Sequence, residues 1–268
     1  MPVRPYILAE TNWKHVKDEK FQVVILPWGA TEAHNYHLPY GTDTIQCDYI
    51  AAESARKAWE KGAKVVVLPT MPFGVNTGQV DIPLDINMNP STQFAVLKDI
   101  IQVLSNHNIP KFVIMNGHGG NDFRQMIREL QVMFPNVFIS TMSWYMVLDL
   151  MKYFHEPGDH AGEMETSIMM HIASDLVLPL KVAGDGAEKK FRIEALKSGW
   201  VWAQREWDKI SKDTGVGNPA ESSAEKGRIY LEAATDSISS FIIDLEKQIL
   251  KTFMSRNNQE SFINWCLS

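Results

Sequence analysis

An α/β fold, with a mostly parallel sheet and helices on both faces, is predicted by three features of the sequence. Short β-branched or aromatic runs recur at residues 21–26, 64–68, 111–115 and 137–140, continuously apolar as buried parallel strands are. Stretches of helical periodicity separate them, and strands alternating with helices specify parallel crossovers. A polar loop broken by Pro27, Gly29, Pro39 and Gly41 leaves the first run. Open α/β sheets gather their chemistry outside the carboxyl ends of such strands.

The elements follow in chain order. Residues 5–20 form an irregular lead-in with a short helix, which its charges and Trp13 place against the domain. After the strand at 21–26 and its loop, Ile45, Tyr49, Ile50, Ala52, Ala55 and Trp59 give one apolar face to a helix over 44–61. Gly62 ends it. The strand 64–68 leads into a long connection, 69–90, with Pro72, Gly74, Gly78, Pro83 and Pro90. A connection of that length is a functional or interface element, and 78–88 alternates weakly, as a short hairpin would. Ser91 caps a helix reaching His107, and Pro110 precedes the strand 111–115. A helix over 122–133, the strand 137–140, an apolar helix over 144–153, a turn at 155–158 and a helix over 161–174 complete the alternating part. From 179 to 219 the pattern weakens into an excursion with Trp200, Trp202 and Trp207 that covers the site or builds an interface. Ser222 or Ser223 then caps a C-terminal helix to about Thr252. No repeat or linker divides the chain, so 1–268 is one domain.

Composition narrows the function. With 45% hydrophobic and 22% charged residues, the chain has the balance of a soluble globule whose core needs no disulfide support. A net charge of −6 without a long basic run argues against nucleic acid as partner. No stretch reaches the roughly 18 apolar residues of a membrane helix, and the N-terminus lacks the apolar segment and cleavage site of a secretion signal. Two distant cysteines, Cys47 and Cys266, form no framework, which points to a reducing cytoplasm.

The chemistry concentrates in three blocks: residues 26–44 (LPWGATEAHNYHLPYGTDT), 116–121 (NGHGGN) and 159–166 (DHAGEMET). In extended backbone Glu32 and His34 point the same way. Asp43 ends the first loop where a helix begins, and a carboxylate can bridge two ions with its two oxygens. His118 follows a buried strand between glycines that permit close approach. The nitrogen and oxygen donors, with no thiolate, suit Zn²⁺, Mn²⁺ or Fe²⁺. Each residue also has a plainer reading. Asp43 alone is a helix cap, the Gly-His-Gly-Gly turn alone is a phosphate nest, His160 alone starts a helix, and Glu165 alone is a surface carboxylate. His37 is structural or supporting. The joint occurrence of all three blocks at strand ends favours the metal site.

The three blocks, in order and spacing over residues 20 to 180, resemble those of the creatininase (creatinine amidohydrolase) family, in its branch with the GHGGN turn. The resemblance implies a three-layer α/β/α sandwich, two divalent ions (zinc, with manganese or iron as alternatives) and a homo-oligomer, often a hexamer. It places Glu32, His34, Asp43 and His118 on the ligand positions: Asp43 as the bridge, Glu32 and His118 on one ion, His34 on the other. Creatininase proper has a glutamate ligand where this chain has Gly120. Glu165 is the candidate replacement and Glu163 the fallback. Creatininase also has a tryptophan shortly before the histidine of the third block, where the segment FHEPGDHAG here has none, and Trp144 is the candidate for another substrate-covering position. Phe73, Val75 and Tyr145 are further guesses for the pocket lining.

The expected reaction is hydrolysis of a C–N bond in a small cyclic amide or amide-like molecule by a metal-activated hydroxide. Backbone N–H groups near Gly119 and Gly120 would steady the oxyanion. His160 would protonate the leaving nitrogen, oriented by Asp159 or Glu163. Alternatives are a formamide deformylase, a small-peptide-processing metallohydrolase, an inactive metal- or ligand-binding member, or a nucleotide-binding module that predicts a phosphate ligand and no metal.

Overall fold

Four parallel strands lie side by side in the order β2-β1-β3-β4, in a computed structural model that describes residues 3–249. They are β1 (Val23–Trp28), β2 (Val65–Val67), β3 (Lys111–Asn116) and β4 (Phe138–Ser143). Every residue of β1 and β3 is buried, as a central parallel strand covered on both faces requires. The register sets Val23 opposite Lys111 and Trp28 opposite Asn116. The loops that follow β1 and β3 therefore leave the sheet level and side by side.

Alternation along the strands divides the core into two layers. Val23, Ile25, Val65, Val67, Val113 and Met115 face α1 (Thr42–Glu60), α4 (Glu163–Ile172) and α5 (Ala224–Lys247). Val24, Leu26, Trp28, Phe112 and Ile114 face α2 (Pro90–Asn106) and α3 (Arg124–Met133). This is the expected three-layer sandwich. α1 presents Ala51, Ala55 and Ala58 to its core, small enough to let α5 pack close.

Several local expectations change. The hairpin at 78–88 is a chain of turns, with Ile82 N–H donating to Gln79 O and Asp85 N–H to Ile82 O. Pro83 and the left-handed Leu84 (φ 67°) set that path. The apolar stretch 144–153 is two short 3-10 turns, Trp144–Met146 and Leu150–Lys152. Asp149 accepts the N–H of Met151 and begins the second, the local side-chain bonding with which aspartate competes against helix. Helix α2 starts at Pro90, one residue ahead of the expected cap. Trp13 is exposed, and the lead-in is held instead by Tyr6 and by Ile7, which bridges to Val67. Ser223 caps α5 by accepting from Lys226 N–H, and the helix ends at Lys247. Thr252 and Cys266 lie outside the described residues. Cys47 is buried and free, and among the described residues no helix is long and apolar enough to cross a membrane.

Candidate metal centre

The loops after β1 and β3 converge with the first turn of α4 on one buried cluster. Asp43 lies in the first turn of α1, but the cap position is Gly41 and has no side-chain bond. The Asp43 carboxylate instead spans two imidazoles: Oδ1 is 3.0 Å from His34 Nε2, and Oδ2 is 3.0 Å from His118 Nδ1. Glu32 Oε1 is 2.8 Å from the same His118 nitrogen. Glu165, almost fully buried, reaches the cluster from α4. Its Oε2 accepts the N–H of Ala161, a residue in the left-handed region (φ 53°).

The opposite ring nitrogens fix the tautomers. His34 Nδ1 lies 3.0 Å from the Glu32 main-chain carbonyl, and His118 Nε2 lies 3.1 Å from that of Val75. A carbonyl only accepts, so each of these nitrogens carries the proton. The other nitrogen of each ring faces carboxylate oxygens, an arrangement that either a proton on that nitrogen or a shared cation satisfies. Glu32, Asp43 and His118 form one group able to hold an ion, and His34, Asp43 and Glu165 a second, with donor atoms within 4.8 Å in each. Asp43 belongs to both. The donor set is nitrogen and oxygen throughout, and no lysine or arginine pairs with its carboxylates among the ion pairs of the described residues.

The electrostatics match a site that wants positive charge. Burial works against the charge on His34, but Asp43, Glu165 and Glu32 outweigh it and lift the imidazole to about 10. His118 is raised for the same reason by Glu32 and Asp43. Burial also opposes the Asp43 charge, and the two histidines overcome it and hold its carboxyl below the usual carboxylate range. For Glu165 burial prevails, aided by Asp43 and Glu32, and raises it to about 7 despite the pull of His34.

His160 stands beside the cluster. Its Nε2 donates to Ala33 O at 2.8 Å, and Nδ1 lies 3.9 Å from Glu32 Oε1. The ring sits 4.1 Å from that of His34 and meets the Trp207 indole edge-on at 4.8 Å. Glu32, His34 and His160 make a third group with ligand spacing. Burial, followed by the neighbouring His34, lowers the His160 pKa.

The other expected site residues are placed differently. Asp159 turns outward to Arg205 at 2.6 Å, with its side chain 58% exposed. Glu163 is held by Lys226 and by the N–H of Glu156. The orientation expected of these carboxylates is supplied to His160 by the Ala33 carbonyl. Glu163 is also absent from the ligand-capable groups, which leaves Glu165 as the α4 carboxylate in the cluster. Trp144 does not cover the site. It is fully buried in the core against Tyr145 and Tyr230, while Tyr145 and Val75 line the cavity.

Gly119 and Gly120 line a cavity of about 1340 Å³ that opens over the cluster. A Cβ at residue 120 would collide with Val75 O and His118 Nε2, the two partners of the bond that fixes the His118 tautomer. Helix α3 begins only at Arg124, with Phe123 as cap, so the Gly-His-Gly-Gly turn is not a helix-start phosphate nest. Asn121 ties the same loop together: its Oδ1 accepts from Val75 N–H and Gln93 Nε2, and its Nδ2 donates to Asn116 Oδ1.

Two contributors escaped the sequence reading, the Val75 carbonyl and Gln79. The Val75 carbonyl carries no side-chain signal. Gln79, whose Nε2 donates to Glu32 Oε2, lies in the connection misread as a hairpin. Trp207 belongs to the tryptophan-rich excursion, which lines the cavity through Phe191, Val201 and Trp202 among others.

Comparison with known proteins agrees with this architecture. The family model for creatininase, described as creatinine amidohydrolase, matches residues 9–242. A solved Bacteroides fragilis protein, provisionally described as a creatinine amidohydrolase, is 40% identical, superposes with a TM-score of 0.87, and covers 93% of this chain and 99% of its own. The mycofactocin precursor peptide peptidase of Mycolicibacterium smegmatis is 28% identical over 217 residues, 78% of this chain and 80% of that protein. A solved mutant creatininase of the Zn–Zn type shares the fold at 20% identity, with a TM-score of 0.75 over 91% of this chain and all of that one.

Proposed function

Since the chain belongs to the creatininase family, and so to a family of metal-dependent amidohydrolases, we propose that it cleaves a C–N bond of an amide-like substrate with two divalent ions sharing Asp43. The observation that carries the reading is the Asp43 carboxylate, with one oxygen on each of two histidines whose other nitrogens are tied to main-chain carbonyls. Glu32 Oε1, Asp43 and His118 Nδ1 would hold one ion, and His34 Nε2, Asp43 and Glu165 the other. Such ions supply Lewis acidity and lower the pKa of water. Zinc fits the donor set, as do manganese and iron.

The chain's own groups do the rest. Gln79 binds Glu32 Oε2 and leaves Oε1 to face His118. Gly119 and Gly120 line the cavity, and their N–H groups would steady a developing oxyanion. His160 Nδ1, with Nε2 tied to Ala33 O and Glu32 Oε1 3.9 Å away, takes the proton released by the attacking water and passes it to the leaving nitrogen. Trp207, in the strap formed by residues 187–210, lines the cavity against His160.

A second reading, trimming of a peptide, is favoured by the cavity, which exceeds the roughly 300–1,000 Å³ of usual small-molecule pockets. The test is a hydrolysis screen of zinc- and manganese-loaded protein with creatinine, N-formyl amines and short peptides. Turnover of at least one class that disappears with chelator is expected. Chelator-resistant turnover, or none from protein holding two ions, contradicts the proposal. The exposed Trp200-Val201-Trp202 stretch supports a homo-oligomer, a hexamer by family resemblance, which light scattering checks. A reducing cytoplasm fits the buried free thiol of Cys47.

A further inference from the structure

We propose that His37 is a positioning residue for the ion on His34, Asp43 and Glu165: acting through Thr166 and Ala161, it fixes the Glu165 carboxylate. The proposal rests on the two-ion reading above and adds what holds the α4 ligand in place. His37 lies in the loop after β1 and is 1% exposed. Its Nε2 is 2.8 Å from Oγ1 of Thr166, the residue that follows Glu165 in α4. Its Nδ1 is buried and has no hydrogen-bond partner among the described residues. An imidazole with one nitrogen unpartnered in the core is less favourable there than an apolar side chain. Packing alone therefore gives no reason for histidine at this position.

The hydrogen bonds run in one direction. Burial, followed by the neighbouring His34, lowers the His37 pKa to about 4 despite Asp213. The ring is neutral at pH 7 and carries one N–H. Thr166 Oγ1 also lies 3.5 Å from Ala161 O, which can only accept. The hydroxyl donates to Ala161 O and accepts from His37 Nε2–H, the assignment that makes both bonds. On the other side of the same residue, the N–H of Ala161 donates to Glu165 Oε2. Ala161 is in the left-handed region (φ 53°), which a residue other than glycine keeps only where its surroundings enforce it. The relay His37 to Thr166 to Ala161 supplies that enforcement on the carbonyl side, and Glu165 receives its result on the N–H side.

The rest of the site is held independently. His160 pairs with Val216 through both main-chain groups, at 2.9 and 2.8 Å, and its Nε2 reaches Ala33 O. Gln46 Nε2, from α1, donates to the Glu165 main-chain carbonyl at 3.0 Å, which places the backbone and leaves the carboxylate to Ala161. Among the described residues no hydrogen bond joins His37, Thr166 or Ala161 to the side chains of Glu32, Asp43 or His118. The relay acts on one ion and not on the other.

The experiment titrates Zn²⁺ into metal-stripped protein against a chromophoric chelator, which resolves a dissociation constant for each ion. The constant that belongs to Glu165 is the one that Glu165→Ala removes. His37→Leu should weaken that ion about tenfold, as loss of a ligand's supporting partner does, and leave the other ion unchanged. Thr166→Val should do the same from the far end of the bond. The double variant should lose no more than either single one, since the two residues act as a unit. His37→Gln, whose Nε2 can still donate to Thr166, should restore the constant nearly to that of the wild type. A merely structural role would weaken both ions alike and would not be rescued by glutamine. Both ions weakened alike, neither weakened, or His37→Gln no better than His37→Leu overturns the relay. If His37→Leu does not fold, Thr166→Val and His37→Gln decide by the same constants. Wild-type protein that binds fewer than two zinc ions fails the two-ion reading and the relay with it. Two ions whose constants the variants leave unchanged fail the relay alone.

Discussion

The cluster at the carboxyl end of the sheet and the strap above it, residues 187–210, are built by different means. In the cluster, each imidazole is held from behind by a main-chain carbonyl: Glu32 of its own loop for His34, and Val75 and Ala33 of other loops for His118 and His160. Those loops hang from two adjacent, fully buried strands. The strap has only single helical turns, Glu194–Lys197 and Trp207–Ile210, and leaves Trp200 and Trp202 in solvent. Reactive groups need fixed geometry and sit on the rigid frame, while the wall that meets substrate can vary without disturbing them. The comparison therefore predicts that substitutions in the cluster abolish chemistry, whereas those in the strap redirect it.

The largest effect falls on Asp43. Asp43→Ala should lose bound metal and turnover together, read by elemental analysis beside a rate assay. Full activity in that variant would remove the bridging role. His160→Asn comes next: both ions should stay while kcat falls by roughly 10²–10⁴. Loss of metal instead would make His160 a ligand, a role its place in the third group allows. At Gly120 the effect is on stability and geometry. Gly120→Ala should cost about 1–3 kcal/mol, the usual range for overpacking, seen in chemical denaturation together with weakened metal binding. A variant as stable as the wild type would mean that the Val75 carbonyl moves freely. The smallest effect belongs to the outer strap. Trp202→Ala should stay within about 0.5 kcal/mol in stability and change KM more than kcat. A large fall in kcat would place the strap among the reactive elements and erase the contrast.

Much of this was legible in the sequence. The β-branched runs marked β1, β2 and β3, whose residues are all buried and so continuously apolar, and the start of the partly exposed edge strand β4. The blocks holding Glu32, His34, Asp43, His118 and Glu165 announced themselves by packing polar residue types where a buried strand ends. What stayed hidden depends on long-range contacts. Nothing local tells that Asp159 turns to Arg205 or that Glu163 turns to Lys226, residues far along the chain. Trp144 is apolar and next to a strand end, and only the packing of Tyr230 against it decides for core over cavity. Gly120 read as a lost ligand. The structure shows that a side chain there would displace the carbonyl that orients His118. Gln79 sat in a weakly alternating stretch whose turns are set by Pro83 and Leu84, so its reach to Glu32 left no pattern to detect.

The central claim is a two-ion centre completed by Glu165, and metal stoichiometry tests it most directly. Protein as purified, and after incubation with Zn²⁺ or Mn²⁺, is assayed for metal per chain beside Glu165→Ala. Two ions in the wild type and about one in the variant are expected. One ion or none in the wild type, unchanged in the variant and not restored by added metal, would contradict the account.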